Sequence, residues 1–289
     1  MGYSMIHAGL ILEGGAVRGV FTAGALDYLV ECKIEFSHVI GVSAGSCNAV
    51  DYVARQKGRT KACFIPEDKV NQCMSLKNVF LGKSLYDMEK AFVEYPSEIY
   101  PFDFKSFFAS PTTCEIVATN CLTGEPNYFQ TKRERATLMK YCRASSSLPL
   151  VSSMVQVDGI PYLDGGLSDS VPIRHSIEAG NRKNVIILTR NPGYRKSSST
   201  RLNHLYEKKY AQYPNLIHTI EHRARMYNKT MAYIEHMERK GEVFVLRPTI
   251  PCPSKIETHA DVLNAFYEHG YHKMRKELDK MMDYLYAKA

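Results

Sequence analysis

The first 57 residues alternate between short apolar runs and amphipathic stretches, and this alternation constrains the fold more than any other feature. Residues 7–12 and 38–42 are apolar runs with the length of buried strands. Residues 20–31 and 44–57 instead place small and apolar side chains at helical spacing. A strand–helix–strand–helix order implies a parallel sheet with right-handed crossovers. We therefore predict an α/β fold, with a mostly parallel central sheet flanked by helices on both faces.

The remainder of the chain predicts more strands and two long helices, after an irregular segment. Residues 60–112 contain four prolines and many aromatic residues, which favour short helices and loops and suggest a cap over a site. Strands are predicted at 114–119, 127–130, 160–163, 184–190 and 242–247, and long helices at 214–240 and 258–288. Because no repeat or linker interrupts the chain, we predict a single domain over 1–289, with a motif-bearing core at about 8–190 and a basic helical part at about 191–289.

A G-x-S-x-G pattern stands at the second strand–helix junction, as Gly41-Val42-Ser43-Ala44-Gly45. In this setting the pattern predicts a sharp turn that lifts a serine hydroxyl above the sheet. Gly41 and Gly45 lack the Cβ atoms that would crowd such a turn, and the N-terminus of the following helix favours developing negative charge. A chance turn could have the same sequence, but the strand–helix setting favours Ser43 as a nucleophile.

The first strand–helix junction carries a glycine-rich loop, Glu13-Gly14-Gly15-Ala16-Val17-Arg18-Gly19. Glycines in this position expose backbone N–H groups to an anion, which suits an oxyanion hole or a phosphate cradle. A nucleotide site would require a G-x-G-x-x-G pattern or a Lys-Ser/Thr pair, and the loop has neither. Beside Ser43 the loop therefore fits an acyl-transfer site.

A third motif, Asp164-Gly165-Gly166, follows the predicted strand 160–163. An acid at the carboxyl end of a strand is expected to point into the crevice where α/β sheets bind ligands. The two glycines allow the chain to turn tightly beside it. A plain Asp-Gly turn has the same sequence, so the motif by itself does not decide between a turn and a site.

No histidine is well placed to be the usual base of a serine nucleophile. The ten histidines either begin predicted strands or lie in or near predicted helices, which are positions typical of surface and packing side chains: His7, His38, His175, His204, His218, His222, His236, His259, His269 and His272. Either the fold brings one of them to Ser43, or the base is a carboxylate.

Taken together, the three motifs resemble the patatin-like phospholipase family, which has a Gly-Gly-x-x-Arg/Lys-Gly loop, a G-x-S-x-G serine and an Asp-Gly-Gly/Ala motif in this order. The resemblance covers about residues 8–190 and implies a three-layer α/β sandwich. It also implies hydrolysis of acyl esters of lipids by a Ser–Asp dyad, with no histidine, cofactor or metal. Ser43 would be the nucleophile and Asp164 the base.

The same resemblance assigns the oxyanion hole to the glycine-rich loop, at Gly14, Gly15 and Ala16. The family often has a third glycine where this chain has Ala16, and an alanine reaches positive φ only at a cost that glycine avoids. Arg18 matches the family's basic position and would hold or orient the loop; otherwise it is a surface guanidinium at a helix start. Five glycines would support the turns of the site: Gly19, Gly41, Gly45, Gly165 and Gly166.

The positive charge of the chain is unevenly distributed. The net charge is +7, yet residues 182–247 hold 14 Lys and Arg against 5 Asp and Glu, a balance of +9. Such a basic segment indicates an anionic partner, a membrane surface or a nucleic acid, unless these residues are only solvated helix faces. Beside a lipid ester as substrate, peripheral association with an anionic membrane is the partner we expect, and nucleic acid is disfavoured.

The cysteines and apolar runs indicate the compartment. The eight cysteines include no Cys-x-x-Cys pair, and no signal peptide is apparent, so free thiols and a cytoplasmic location are expected. The longest apolar runs are too short to span a membrane.

Two other functions stay open at this point. One is a Ser–His–Asp esterase or acyltransferase that acts on soluble esters. The other is a non-catalytic protein that binds a membrane or a nucleic acid through its basic segment.

Overall fold

The computed structural model describes residues 4–74, 86–131, 134–197 and 203–287, and a single sheet organises these ranges. Its strands are β1 (Ser4–Leu12), β2 (Ile34–Val42), β3 (Thr113–Asn120), β4 (Pro126–Phe129), β5 (Val155–Val157), β6 (Ile160–Asp164), β7 (Asn184–Ile187) and β8 (Phe244–Leu246). The strand order is β5-β6-β3-β2-β1-β7-β8, and β4 also pairs with β3.

The centre of the sheet is parallel and one edge is antiparallel. Strands β3, β2, β1, β7 and β8 run parallel to one another, whereas β4 and β6 pair antiparallel with β3, and β5 pairs antiparallel with β6. The predicted α/β fold with a mostly parallel sheet is therefore confirmed. The parallel strands end at one edge, where Leu12 pairs with both Gly41 and Ile187.

Helices cover the sheet. The α-helices are α1 (Gly19–Glu31), α2 (Ala44–Val53), α3 (Arg59–Phe64), α4 (Phe104–Ala109), α5 (Arg135–Ser145), α6 (Ile173–Glu178), α7 (Asn203–Lys209), α8 (Pro214–Arg239) and α9 (Ala260–Tyr286), and a π-helix spans Lys90–Ile99. The irregular character expected for 60–112 is seen where that segment is described, and its residues 75–85 lie outside the described ranges.

Alternate side chains of the buried β1 strand enter two cores on opposite faces of the sheet. Leu10 and Leu12 pack with α1, α2 and α9, in the core that contains Phe21 and Phe266. Ile11 points to the other face and packs against α8. Because successive side chains of a strand alternate in direction, an apolar run on both faces gives a three-layer arrangement with the sheet in the middle.

Four of these elements were not predicted individually from the sequence: strand β5 and helices α5, α6 and α7. The direction of β6 is a further difference, because this strand runs antiparallel to β3. No disulfide joins the cysteines of the described ranges, as expected. Within the described ranges, no helix combines the length and apolar character needed to cross a bilayer.

Candidate active site

Ser43 occupies the sharp turn between β2 and α2. Its backbone has φ 55° and ψ −125°, a conformation that costs a non-glycine residue on the order of 1–3 kcal/mol and typically marks a functional site. The flanking glycines are required by close packing. A Cβ on Gly41 would lie 2.4 Å from the carbonyl oxygen of Gly45, and a Cβ on Gly45 would lie 2.2 Å from that of Leu12.

Asp164 lies within hydrogen-bond reach of this serine. The Ser43 hydroxyl donates to Oδ2 of Asp164 at 2.7 Å, and the backbone N–H of Gly166 donates to Oδ1 at 2.7 Å. The Asp164 side chain is buried, with 2% of the residue exposed. The sequence placed both residues at one crevice, and the structure brings them into direct contact.

The strand that carries Asp164 runs in a different direction from the one expected. The sequence argument treated the carboxyl end of its strand as part of the parallel edge, but β6 is antiparallel to β3. Strand β6 pairs only with the last part of β3, where Asp164 faces Ala118, and Val117 pairs with Val42 of β2. Because β6 runs back along the end of β3, its last residue, Asp164, lies beside the turn that holds Ser43.

The end of helix α5 fixes both residues, and sequence reasoning missed this contribution. The hydroxyl of Ser145 accepts from the backbone N–H of Ser43 at 2.8 Å and donates to the carbonyl of Val117 at 2.6 Å. The carbonyl of Ser147 accepts from the N–H of Asp164 at 2.8 Å. The run Ser145-Ser146-Ser147 was a visible signal, but only the tertiary fold shows that it bridges nucleophile and carboxylate.

The glycine-rich loop lies directly against Ser43. A Cβ on Gly14 would be 2.7 Å from the Cβ of Ser43, so only glycine permits this approach. Within the described ranges, the backbone N–H groups of Gly14, Gly15 and Ala16 have no hydrogen-bond partner. Ala16 has φ 52°, so this alanine does adopt the left-handed conformation that glycine would reach more easily. Free N–H donors beside a nucleophile are the requirement of an oxyanion hole.

Glu13 anchors the glycine-rich loop through buried hydrogen bonds. Its buried carboxylate accepts from the N–H of Thr189 at 2.7 Å, from the Thr189 hydroxyl at 3.0 Å and from the Tyr227 hydroxyl at 2.8 Å. Thr189 also donates to the carbonyl of Gly14 at 3.1 Å. The loop is thus tied to the end of β7 and to helix α8, which holds its N–H groups in place.

The remaining sequence-predicted residues also lie at the site. Arg18 is not a surface residue: it is 4% exposed and lines the cleft around Ser43 and Asp164. Burial, followed by repulsion from Arg190, lowers the pKa of its guanidinium. Three glycines pack at close distances: Gly19 against Ala44, Gly165 against Val117, and Gly166 against Asp164 and Arg223.

Two cavities meet at Ser43. The first, which we call the apolar cavity, has a volume of about 170 Å³. It is lined mainly by apolar side chains, among them Val17, Val50, Phe64, Met88, Phe92 and Leu263. Its charged pair, Asp51 and Arg59, is joined by an ion pair of 2.7 Å. The second, which we call the basic cleft, has a volume of about 60 Å³ and contains Asp164 and the glycine-rich loop.

Histidine is absent from the described lining of both cavities. His38 and His175, for example, both contact Glu115, at 3.1 Å and 2.6 Å. The ring of His175 is also stacked on Tyr128. These histidines belong to a packing cluster away from Ser43.

Comparison with known proteins identifies the family and supports the fold. The model of the patatin-like phospholipase family matches residues 10–177, and that of a domain of unknown function, DUF6363, matches residues 213–286. The uncharacterized protein YjjU of Escherichia coli (strain K12) is 27% identical over 252 residues, which cover 85% of this chain and 69% of YjjU.

A solved structure with a similar fold is that of VipD from Legionella pneumophila. The TM-score is 0.51, and the match covers 95% of this chain and 67% of the VipD chain. With 13% sequence identity, this likeness concerns the fold alone.

Proposed function

Because the chain belongs to the patatin-like phospholipase family, we propose that it hydrolyses acyl esters of lipids with Ser43 as nucleophile and Asp164 as base. The observation that carries the proposal is the 2.7 Å hydrogen bond from the Ser43 hydroxyl to Asp164. That distance lies within the range over which a general base takes a proton from a nucleophile. Membership of the family supports lipid acyl hydrolysis in general, and the Ser–Asp dyad is the more specific part of this proposal.

Acylation begins when Ser43 Oγ attacks the carbonyl carbon of the ester. As the C–O bond forms, the hydroxyl proton passes to Oδ2 of Asp164 and the carbonyl oxygen becomes an oxyanion. The free N–H groups of Gly14, Gly15 and Ala16 are the donors for that oxyanion, each contributing ~3 kcal/mol by analogy with other oxyanion holes. The tetrahedral intermediate then expels the alcohol oxygen, which takes the proton from Asp164.

Deacylation repeats these steps with water. Asp164, again a carboxylate, accepts a proton from a water molecule whose oxygen attacks the acyl carbon. Collapse of the second intermediate breaks the bond to Ser43 Oγ, which regains the proton from Asp164. The fatty acid leaves, and both residues return to their starting state.

The apolar cavity is suited to the acyl chain. It opens at Ser43 and is lined by side chains of α2, α3, the π-helix, α5 and α9. Burial of each methylene from water contributes ~0.8 kcal/mol, so an acyl chain in this cavity would supply the binding energy that a lipid hydrolase needs.

A fluorophosphonate probe tests the nucleophile. We expect the probe to label the purified protein at Ser43, as located by peptide mapping, because it reacts with an activated serine hydroxyl. Ser43→Ala should lose both labelling and hydrolysis of a neutral soluble ester, p-nitrophenyl butyrate, because it removes the attacking oxygen.

Ser152→Ala is the matched control for this test. It also removes a buried serine hydroxyl, one that has no hydrogen-bond partner among the described residues and lines neither cavity. Full ester hydrolysis by Ser43→Ala, or labelling at another serine alone, would overturn the mechanism.

A further inference from the structure

The basic cleft concentrates positive charge beside the dyad. Five cationic side chains line it, against the two acids Glu13 and Asp164: Arg18, Arg190, Lys196, Arg223 and Lys255. Only Arg18 lies within the stretch 10–177 that matches the phospholipase family. The other four come from later in the chain, and Arg223 and Lys255 fall within the region that matches the domain of unknown function.

The two acids of the cleft leave an excess of three basic side chains and form no ion pair with them in the described ranges. Within the described ranges, none of the five takes part in an ion pair. Arg18 is 4% exposed, and its Nε has no hydrogen-bond partner. A buried guanidinium N–H without a partner costs free energy, so the cleft has the composition of a site that an external anion completes.

Two further side chains are held by neutral groups only. Lys196 donates to the hydroxyl of Ser170 at 3.2 Å and lies 3.7 Å from the centre of the Tyr227 ring. Arg223 donates through Nε to the carbonyl of Gly166 at 2.6 Å. These contacts orient the two side chains at the cleft and bring no opposing charge to them.

Burial and crowding of the cations lower the pKa of both lysines of the cleft. Loss of water, followed by repulsion from Arg223, lowers the pKa of Lys196 to about 6. Lys255 is exposed overall, yet partial desolvation of its ammonium, followed by repulsion from Arg223 and Arg18, lowers its pKa to about 8. A bound anion would favour the charged form of both lysines, so binding an anion would relieve this unfavourable arrangement.

We propose that the basic cleft is the subsite for an anionic phosphate head group, and that the substrate is a lipid ester with net negative charge. This inference rests on the proposed function. Ser43, Ala16 and Leu148 line both cavities, so an ester carbonyl at Ser43 places its acyl chain in the apolar cavity and its alcohol part in the basic cleft. The zwitterionic choline head group carries a cation that the cleft repels, whereas the net-anionic glycerol head group of phosphatidylglycerol carries none.

The inference gives the C-terminal region a part in substrate recognition. Two hydrogen bonds tie the segment around Lys196 to helix α8. The backbone N–H of Lys196 donates to Oδ1 of Asn228 at 2.8 Å, and Nδ2 of Asn228 donates to the carbonyl of Lys196 at 2.9 Å. Helix α8 also supplies Arg223 and the Tyr227 hydroxyl that binds Glu13. One helix therefore holds two of the five basic side chains of the cleft and the anchor of the glycine-rich loop.

The test compares monomeric substrates, so that adsorption to a lipid surface plays no part. The full chain is assayed with dihexanoyl phosphatidylglycerol, dihexanoyl phosphatidylcholine and p-nitrophenyl butyrate, all below micelle-forming concentrations. We expect kcat/KM for the anionic lipid to exceed that for the zwitterionic lipid by about tenfold or more, the effect of one charge-assisted hydrogen bond.

Variants assign the preference to the cleft. We expect Lys196→Gln and Lys255→Gln each to lower the anionic-to-zwitterionic ratio by about tenfold, and thermal unfolding checks that each is folded. If Lys196→Gln does not fold, Lys255→Gln at the exposed rim still tests the cleft. The matched control is Lys276→Gln, an exposed lysine of α9 that lines neither cavity, and its ratio should equal that of the unmodified chain.

The outcomes separate the inference from the proposed function. If p-nitrophenyl butyrate is hydrolysed but the two lipids are cleaved equally well, the head-group assignment is overturned and the esterase stands. If Ser43 is not labelled and no ester is hydrolysed, the proposed function itself fails. Calorimetry with Ser43→Ala distinguishes the source of the anion. Tighter binding of dihexanoyl phosphatidylglycerol than of both dihexanoyl phosphatidylcholine and inorganic phosphate supports a head-group site, and binding no tighter than that of dihexanoyl phosphatidylcholine overturns it.

Discussion

The two oxygens of the Asp164 carboxylate have different partners, and this difference fixes which oxygen faces Ser43. Oδ1 accepts from the N–H of Gly166, while Oδ2 accepts from the hydroxyl of Ser43. The N–H of Asp164 donates to the carbonyl of Ser147, and its carbonyl accepts from Thr119 at 2.8 Å. With backbone and Oδ1 fixed, Oδ2 is the oxygen that faces Ser43 and the one to which the proposed mechanism assigns the proton.

Asp164→Asn is the sharpest test of that assignment. Because the N–H of Gly166 requires an acceptor, the amide oxygen should take the place of Oδ1 and the NH2 group should face Ser43. The hydrogen bond to Ser43 would then be reversed, and the hydroxyl would have no base. We expect kcat to fall by about three orders of magnitude or more, with little change in the midpoint of urea unfolding.

Histidine substitutions provide the control for this prediction. His38→Gln and His175→Gln change residues that contact Glu115 rather than Ser43, so they should keep most of the activity. With p-nitrophenyl butyrate, which has no anionic head group to meet Lys196, the rate should also lack a dependence on a group titrating near ~6.5, the ordinary histidine value. A histidine variant as inactive as Ser43→Ala, together with a mild Asp164→Asn, would replace the dyad by a Ser–His–Asp triad.

At the scale of elements, the contact between α1 and α9 ties the C-terminal region to the motif-bearing core. The two helices approach so closely that each uses a glycine at the crossing. A Cβ on Gly24 would lie 2.1 Å from the carbonyl oxygen of Tyr267, and a Cβ on Gly270 would lie 2.0 Å from that of Phe21. Helix α1 begins directly after the glycine-rich loop, so this packing also supports the site.

Gly270→Ala tests the importance of this close packing. On an exposed helix, glycine to alanine stabilises by about 0.8–1 kcal/mol, but here the new methyl group would collide with the backbone of α1. We therefore expect a net destabilisation of about 1–3 kcal/mol, measured by reversible urea unfolding. The matched control on the same helix, Lys276→Ala, changes an exposed position and should lie within about 0.5 kcal/mol of the unmodified chain. A stabilised Gly270→Ala would show that the crossing is not tight.

At the scale of the whole molecule, the described Lys and Arg residues of the basic segment 182–247 include three groups. Arg190, Lys196 and Arg223 line the basic cleft. Arg195, Lys240 and Arg247 pair with Glu235, Glu242 and Glu238. Other residues are exposed on the surface, among them Arg225 and Lys229 on α8, which flank the 49% exposed Met226. The surface group is the part available to a membrane.

We propose that this surface group helps the protein to adsorb to anionic membranes. Binding to phosphatidylglycerol-containing vesicles should weaken as salt rises, because electrostatic screening shortens to ~8 Å near physiological ionic strength. The double variant Arg225→Glu/Lys229→Glu should bind more weakly in a sedimentation assay, while Lys276→Glu, outside the segment, should bind nearly as well as the unmodified chain. Equal binding to neutral and anionic vesicles at low salt would contradict the proposal, and tight salt-sensitive binding to duplex DNA would favour a nucleic-acid partner.

We also propose that residues 1–289 act as a single domain, the organisation predicted from the sequence. Strand β8 extends the same sheet beside β7, and α9 contributes to the core on one face of the sheet. Both cavities at Ser43 include residues from beyond position 190, such as Leu263 in one and Lys255 in the other. A site assembled from both parts of the chain requires them to fold together.

The sequence by itself determined the features that depend on local chemistry. Apolar runs and helical spacing predicted the parallel centre of the sheet, because burial on both faces leaves a continuous apolar signal in a strand. The three motifs identified Ser43, Asp164 and the loop at Gly14 to Ala16, because sharp turns and close backbone approaches restrict which residues can occupy them. Residues 191–289 were predicted only as a basic helical part with one strand at 242–247.

Tertiary structure alone decided the contacts between residues distant in the chain. The serine run 145–147 has no local pattern that indicates a clamp on Ser43 and Asp164, which lie about a hundred residues before it and about twenty after it. The antiparallel direction of β6 could not be predicted from its five residues, since the direction of a strand depends on the strand it pairs with. The basic cleft joins Arg18 to cations more than 170 residues later, because folding brings α8 and the segment before α9 over the glycine-rich loop. Local sequence encodes backbone preference and burial, but a site shared by distant segments exists only once those segments are packed together.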